Sequence, residues 1–586
     1  MDKRVAHEIF VKNLTGSRSV EVFYVIACCA AFVFIDGLVR CLFRLQRPAR
    51  CPTDLNSTEF QTKFDFLVDL VAITLPMLCI ITIFSAWLPY VLQACFLIAA
   101  ALILIILSLA PRKNSLGGSS GVDANDALHG PSIESINRST ESLLAQGAVK
   151  SINRSTDGLL AQGAVKSINR SIDGIVAQGA TRQSINQAAA VASIERMIIS
   201  QYRGTILLLT SLTILAVDFS VFPRWMAKTE VEGYSVMDIG VGAFVIANAL
   251  VAPQAKENEK STLRMLRKEI GECLILMVLG AGRFVSVLLT DYQAPEAEYG
   301  KHWNFFCTLA FVKIFGRLAV VFVHPRHLAV FGIGCLFLYE SALHQGWYDF
   351  VVDGNAAIKE RHFILDNLSG LSSCIGFSAL FFIWTYIARE LQTKRTPLSL
   401  LQYGVMRCLY SFALMMSLQF FPLPSRRLAN TSYVLWTTYL AMAFLSALIF
   451  SRLLLIYLDQ YVQDIRQAEV ARTKSIAKKT LLFVDTLLLR IPKDEEPLQS
   501  AAYSPGLLAA LNFNAMPFFL LANILTGLIN LSSDTTQASH LSGFLILFVY
   551  AATLTSFSEF LFKLRVKIPL RLPSFSALST VRPKRD

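Results

Sequence analysis

The sequence predicts an all-α polytopic membrane protein, a bundle of about thirteen transmembrane helices, and three observations predict it. Hydrophobic residues make up 54% of the 586-residue chain and charged residues only 16%, against roughly a quarter in soluble domains. Apolar runs of about twenty residues, enough for a helix to cross about 30 Å of hydrocarbon, recur from Val22 to Phe562. Between those runs, Lys and Arg gather in alternate loops, the pattern of a chain that crosses the membrane repeatedly.

The first run, 22–43, carries Asp36 and Arg40 four residues apart on one helix face, where they neutralise each other. Further runs follow at once, so it reads as a first helix and not as a cleaved signal. Runs 66–84 and 90–110 complete an N-terminal unit, 1–110. Residues 111–200 then turn rich in Ser, Asn, Gly and Ala. Here Ser135-Ile136-Asn137-Arg138-Ser139 returns at Ser151 and Ser167, with a degenerate start at Ser184-Ile185-Asn186. Each of these three near-identical sixteen-residue repeats holds few bulky apolar residues, so the segment reads as a flexible cytosolic linker. The remaining runs, 205–222, 234–252, 273–290, 303–323, 328–343, 371–388, 401–420, 433–451, 513–531 and 541–562, form a third unit, 201–562. Within it the polar block 459–505 reads as a cytosolic loop, with an amphipathic stretch at 480–489 suited to a membrane surface.

The tail 563–586 holds Lys563, Arg565, Lys567, Arg571, Arg582, Lys584 and Arg585, which places the C-terminus in the cytosol. An odd number of spans makes the N-terminus luminal, with Asn13-Leu14-Thr15 as a glycosylation sequon, although Lys3, Arg4, Lys12 and Arg18 pull the other way. The sequons at Asn137, Asn153 and Asn169 would be glycosylated only if that orientation were inverted. Cytosolic loops account for the formal charge of +12, so the basic pI calls for no nucleic-acid partner. The eleven cysteines show no C-x-x-C pair and read as free thiols.

An ionisable group at membrane depth is costly unless paired or hydrated. Asp69, Lys313, Arg317, Arg407, Arg452 and Glu559 lie near span ends and read as snorkelling groups. Asp218 and Arg283 are harder to place. Asp218 ends the apolar run 206–217, and Pro223 then breaks the helix before Arg224 and Lys228, bringing a carboxylate and cations together. Met237-Asp238-Ile239-Gly240-Val241-Gly242 follows, with glycines that permit close approach. Spacing leaves Asp218 open as either a buried ion-pair member or a base. His302 stands at a helix mouth beside Trp303, Asn304 and Phe305, as a base or an interfacial hydrogen-bonder. His344 and Asp349 form an isolated H-x4-D pattern without companion motifs. No G-x-S-x-G elbow, Walker A loop or H-E-x-x-H motif occurs, and no metal site is expected.

Several blocks resemble the PIG-W family, the inositol acyltransferases of glycosylphosphatidylinositol (GPI) anchor biosynthesis. They are Tyr202-Arg203-Gly204 leading to Ile214 through Phe219, Phe222-Pro223-Arg224, Ala227-Lys228, Met237 through Gly242, Glu298-Tyr299-Gly300 with His302 through Phe306, Ser425-Arg426-Arg427 with Ala429-Asn430 and Tyr433 to Trp436, and Leu520 through Asn530. The resemblance implies a multi-helix bundle of the endoplasmic reticulum with luminal motif loops. It implies transfer of a fatty acyl group, typically palmitoyl, from acyl-CoA to the inositol 2-hydroxyl of glucosaminyl-phosphatidylinositol. The family's catalytic Asp and Lys fall on Asp218 and Lys228.

With no activated Ser or Cys in evidence, direct transfer is expected, with Asp218 as base and Lys228 as its partner or the oxyanion's. Asp238, His302, Asn304 and Asn523 stand as substrate-binding candidates, and Arg224, Arg426 and Arg427 as phosphate contacts. Acyl-CoA is a co-substrate and no bound cofactor is expected. Oligomeric state is not legible. Where the family usually reads Asn-Arg-Glu-Gly before a Ser and a Gly-Tyr pair, this chain has Asn367-Leu368-Ser369-Gly370, then Ser372 and Gly376-Phe377. The rival classes are a secondary transporter using Asp218 and Arg283, and a non-catalytic scaffold with a recruiting linker.

Overall fold

The computed structural model describes residues 14–46, 65–109, 188–252, 263–290, 302–352, 363–394, 396–481 and 506–568. The repeats, the 480–489 stretch beyond Leu481, most of the basic tail, and Asn13, Asn137, Asn153 and Asn169 lie outside those residues. Contacts divide the chain into Met1–Ala110 with Val191–Asp586 as one unit and Pro111–Ala190 as another. Almost all of the second lies outside the described residues.

The first unit is helical. Its elements are α1 (Ser19–Gln46), α2 (Leu88–Leu109), α3 (Ala188–Ala216), α4 (Ile239–Ala249), α5 (Leu263–Thr290), α6 (Phe305–Phe322), α7 (Leu328–Ala342), α8 (Leu368–Gln392), α9 (Pro397–Ser417), α10 (Thr431–Leu481), α11 (Leu507–Phe513), α12 (Ala515–Ser532) and α13 (His540–Lys563). Among the described residues the only β-pairing is an isolated bridge between Ser17 and Tyr234. The all-α membrane bundle is therefore what the sequence predicts.

The count is not. By length and composition, nine helices among the described residues can cross a membrane, against thirteen expected. Run 66–84 is interrupted by a π-helical turn, Leu70–Thr74, and its helix ends at Ile80. Run 234–252 begins with polar residues that stay in the loop, which leaves α4 only 11 residues. Run 401–420 forms α9, whose apolarity is diluted by Gln402, Arg407 and two tyrosines. Run 273–290 lies in α5, which has the length but opens on charged residues, and the side chains at both of its ends lie outside the described set.

Consecutive helices pack as antiparallel neighbours, α5 with α6, α7 with α8 and α9 with α10, while α1 and α2, separated by the helix that ends at Ile80, pack in parallel. In lipid such contacts rest on dispersion and close backbone approach. A Cβ on Gly204 of α3 would lie 2.6 Å from the Leu508 carbonyl of α11, and one on Gly316 of α6 would lie 2.5 Å from Phe381 of α8. Trp384, Trp436, Tyr202 and Tyr439 are fully buried in the resulting core. The ten cysteines described are all free, as expected.

One end of the bundle is closed by a charged node. Arg40 bonds Asp36 Oδ2 at 2.9 Å, as the spacing predicts, and also pairs with Asp69, which the sequence alone reads as a snorkelling group. Asp69 is buried, and its second oxygen accepts the Leu507 amide at 2.7 Å, satisfying a donor at the start of α11. Three chain segments thus meet through Arg40 and Asp69. Removing the guanidinium strands two buried carboxylates, a change worth about 3–5 kcal/mol. Arg40→Gln should therefore sharply lower the melting temperature of the detergent-purified protein, and replacing Arg40, Asp36 and Asp69 together by leucine should recover most of the loss.

Candidate active site

The opposite end of the bundle, where α3 stops and α4, α6, α8 and α10 begin, gathers most of the residues singled out in the sequence. α3 ends at Ala216 and the chain turns through Asp218 to Pro223, which opens a single 3-10 turn, Arg224–Met226. Arg224 folds back on this turn. Its Nη2 donates to the carbonyls of Val217 at 2.8 Å, Phe222 at 3.1 Å and Phe219 at 3.2 Å. These are the orphan acceptors of a helix end, and a guanidinium is well suited to several at once. Loss of solvent pushes this guanidinium down to about 10, and the charge of Asp218 works against that shift. It stays cationic at neutral pH.

Asp218 is 6% exposed, and its Oδ2 accepts a 2.7 Å hydrogen bond from Asn530 Nδ2 at the end of α12. An amide donor fixes the carboxylate's orientation without adding a charge. Lys228 lies ten residues further along the same loop and is half-buried. Base candidate and cation candidate therefore share one short irregular segment.

That segment is pinned by Asp238 and Arg426. Arg426 Nε donates to Asp238 Oδ1 at 2.7 Å, with both side chains almost fully buried. Asp238 Oδ2 accepts from the Thr229 hydroxyl at 2.7 Å and the Thr229 amide at 3.2 Å. Tyr433, on α10, donates to the Asp238 carbonyl at 2.8 Å and accepts from the Gly242 amide at 3.1 Å. Gly242 is needed there, since a Cβ would lie 2.9 Å from the tyrosine oxygen. Gly240, the other glycine of this block, meets only ordinary contacts.

His302 and Asn304 open α6. Asn304 caps the helix by accepting from the Phe306 and Cys307 amides and donates to the Gly280 carbonyl of α5 at 2.9 Å. The amides of His302 and Trp303 both donate to Asn367 Oδ1 at 2.8 Å, and the His302 ring packs against Phe284 and Phe363. Arg427 Nε donates to the Ser369 hydroxyl at 3.1 Å, the position where the resembled family usually has Glu. Asn523 bonds its own helix at Phe519, and Arg283 is exposed on α5, next to the Phe284 that packs on His302. His344 and Asp349 are exposed, and His344 Nε2 lies 3.8 Å from Glu340, not against Asp349.

Residues 3–561 match the GWT1 family. The chain belongs to the GWT1 family. The match spans nearly the whole protein, including every segment that builds this end of the bundle, and it bears out the resemblance seen in the motif blocks. Among its relatives, a GPI-anchored wall transfer protein 1 of Candida albicans is 30% identical over 417 residues, 64% of this chain and 76% of that protein. One from Eremothecium gossypii is 31% identical over 430 residues, 66% and 79% of the two chains. The glucosaminyl-phosphatidylinositol-acyltransferase PIGW of Homo sapiens is 29% identical over 370 residues, 60% and 70%.

Within this GWT1-family chain, two amides that sequence reasoning did not assign to the site turn out to organise it. Asn530 and Asn367 were each present in blocks already noted, but an amide near a helix end carries no signal of what it will bond. The remaining contacts rank by energy. Asp238→Asn would leave Arg426 buried against a neutral partner and should cost about 3–5 kcal/mol, whereas Asn304→Ala removes a helix cap and should cost about 1 kcal/mol. Thermal unfolding of the two purified variants checks that order.

Proposed function

We propose that this chain transfers a fatty acyl group, typically palmitoyl, from acyl-CoA to the inositol 2-hydroxyl of glucosaminyl-phosphatidylinositol. It acts in the endoplasmic reticulum membrane, with the N-terminus luminal and the C-terminus cytosolic. The reading rests on family membership along residues 3–561, together with relatives named for acylating this lipid. The geometry supports it with a buried carboxylate, hydrogen-bonded by the Asn530 amide, in the loop that also carries Lys228.

The acceptor hydroxyl is un-ionised at neutral pH, so its attack on the thioester carbonyl needs a base that takes the proton as the C–O bond forms. Asp218 serves as that base. Asn530, by holding Oδ2, directs the carboxylate toward the acceptor. Charge develops on the thioester oxygen, and Lys228 stabilises it in a water-poor loop, where a cation acts more strongly than in water. Collapse of the tetrahedral intermediate breaks the C–S bond, and CoA leaves as a thiolate that takes up a proton. The Asp238–Arg426 pair, Tyr433 and Asn367 act through position, keeping the two loops in register.

Membranes containing the full chain, supplied with labelled acyl-CoA and glucosaminyl-phosphatidylinositol, should form the acyl-inositol lipid. Asp218→Asn at normal expression should lower kcat by about 10²–10⁴. Asn530→Ala should lower kcat about tenfold with little change in KM, the size of one lost orienting hydrogen bond. Full activity of Asp218→Asn would remove the base from the mechanism.

A further inference from the structure

Most charges carried at membrane depth have partners. Lys313 of α6 pairs with Glu272 of α5 at 3.0 Å, Arg407 with Glu390 at 2.7 Å, Lys563 with Glu559 at 3.5 Å, and Arg40 with its two aspartates. Arg317 differs. It is 2% exposed and among the largest fully buried side chains, so it does not snorkel as its place near a helix end suggests. Among the described residues it makes no hydrogen bond and no ion pair, and its Nε is enclosed without an acceptor. A buried guanidinium without an anion is costly to fold, so its retention points to an anion that arrives later.

The surroundings say where that anion enters. Arg317 lies one helical turn beyond Lys313, about 18 Å along α6 from the helix start, and therefore remote from Asp218. Seven residues further on the chain leaves α6 into His324-Pro325-Arg326-His327, where Arg326 and His327 are exposed. Arg389, near the end of α8, lies close enough for its charge to be felt at His324. This rim is basic, and a basic surface attracts polyanions.

We propose that Arg317, with Arg326, His327 and Arg389 at the rim beyond it, anchors a phosphate group of the thioester donor in the half of the bundle remote from Asp218. This rests on the acyl transfer proposed above. Both substrates carry phosphate, but the two differ in reach. In the acceptor lipid the phosphodiester is bonded directly to the inositol ring, so a ring placed at Asp218 keeps its phosphate at that same end. In acyl-CoA the pantetheine arm separates the thioester from the phosphates, and a phosphate at Arg317 is compatible with a thioester near Asp218. The donor then enters from the end opposite the acceptor's, and the two meet inside the bundle.

The test uses the full chain in membranes for kinetics and in detergent for binding. Arg317→Met should raise the KM for acyl-CoA about tenfold or more, leave kcat and the KM for the lipid nearly unchanged, and be partly rescued by Arg317→Lys. Free CoA should protect the wild type against thermal unfolding and fail to protect Arg317→Met. That variant should itself melt higher than wild type without ligand, because an unpaired buried charge has gone. A rise in the KM for the lipid instead would assign the phosphate to the acceptor and overturn the proposal. So would unchanged constants in well-folded Met and Lys variants. Should the wild type form no acyl-lipid while CoA still protects it through Arg317, the phosphate site stands and the acyl-transfer reading falls.

Discussion

The buried pair of Asp238 and Arg426 is the contact on which the working end of this bundle depends. Asp238 stands where an irregular loop enters α4, and Arg426 stands in the loop before α10, 188 residues later. In hydrocarbon an irregular loop is tolerated only where its polar groups are satisfied by protein. This pair, with Thr229 on the Asp238 carboxylate and Tyr433 on its carbonyl, satisfies polar groups of both loops at once. With the Ser425–Val231 and Gly233–Pro424 hydrogen bonds, it ties the loop that follows Lys228 to the segment leading into α10. The pair therefore governs the geometry of chemistry in which it takes no direct part.

Much of the fold was legible because lipid leaves few alternatives. A strongly apolar run of twenty residues has to be a helix, and nine of the thirteen runs return as helices of spanning length. The failures are runs in which polar residues compete with the membrane. Tyr234-Ser235 stays in the loop because Ser235 Oγ accepts the Asp238 amide and Tyr234 pairs with Ser17. The run at 66–84 breaks because Asp69, one residue before the π-turn, is drawn to Arg40 and to the start of α11. Those partners lie 29 and 438 residues away, and no local window contains them.

The site was legible in the same partial way. The sequence marked Asp218, Lys228, Asp238, His302, Asn304 and Arg426 as unusual, and the structure brings most of them to one end. What it could not state was which charge would satisfy which. Asp238 and Arg426 face each other, Arg224 is committed to carbonyls of its own turn, and Asn304 caps α6. The amides that orient Asp218 and His302 were hidden because Asn530 and Asn367 look like ordinary helix-end polar residues.

Partnership also sets how the two ends of the molecule differ. At the node, two carboxylates are balanced by Arg40 and by the amide at the start of α11, and the result is a closed clasp. At the opposite end, the Asp218 carboxylate takes an amide hydrogen bond from Asn530 and lies within reach of the Arg224 charge. A salt bridge as tight as that at Asp238 would hold such a carboxylate ionised but weaken it as a base, because the proton it must accept would break the pair. The same logic places Arg317 with ligand chemistry and Arg40 with structure. A charge already matched inside the protein stabilises the fold, and a charge left for a partner stabilises the complex.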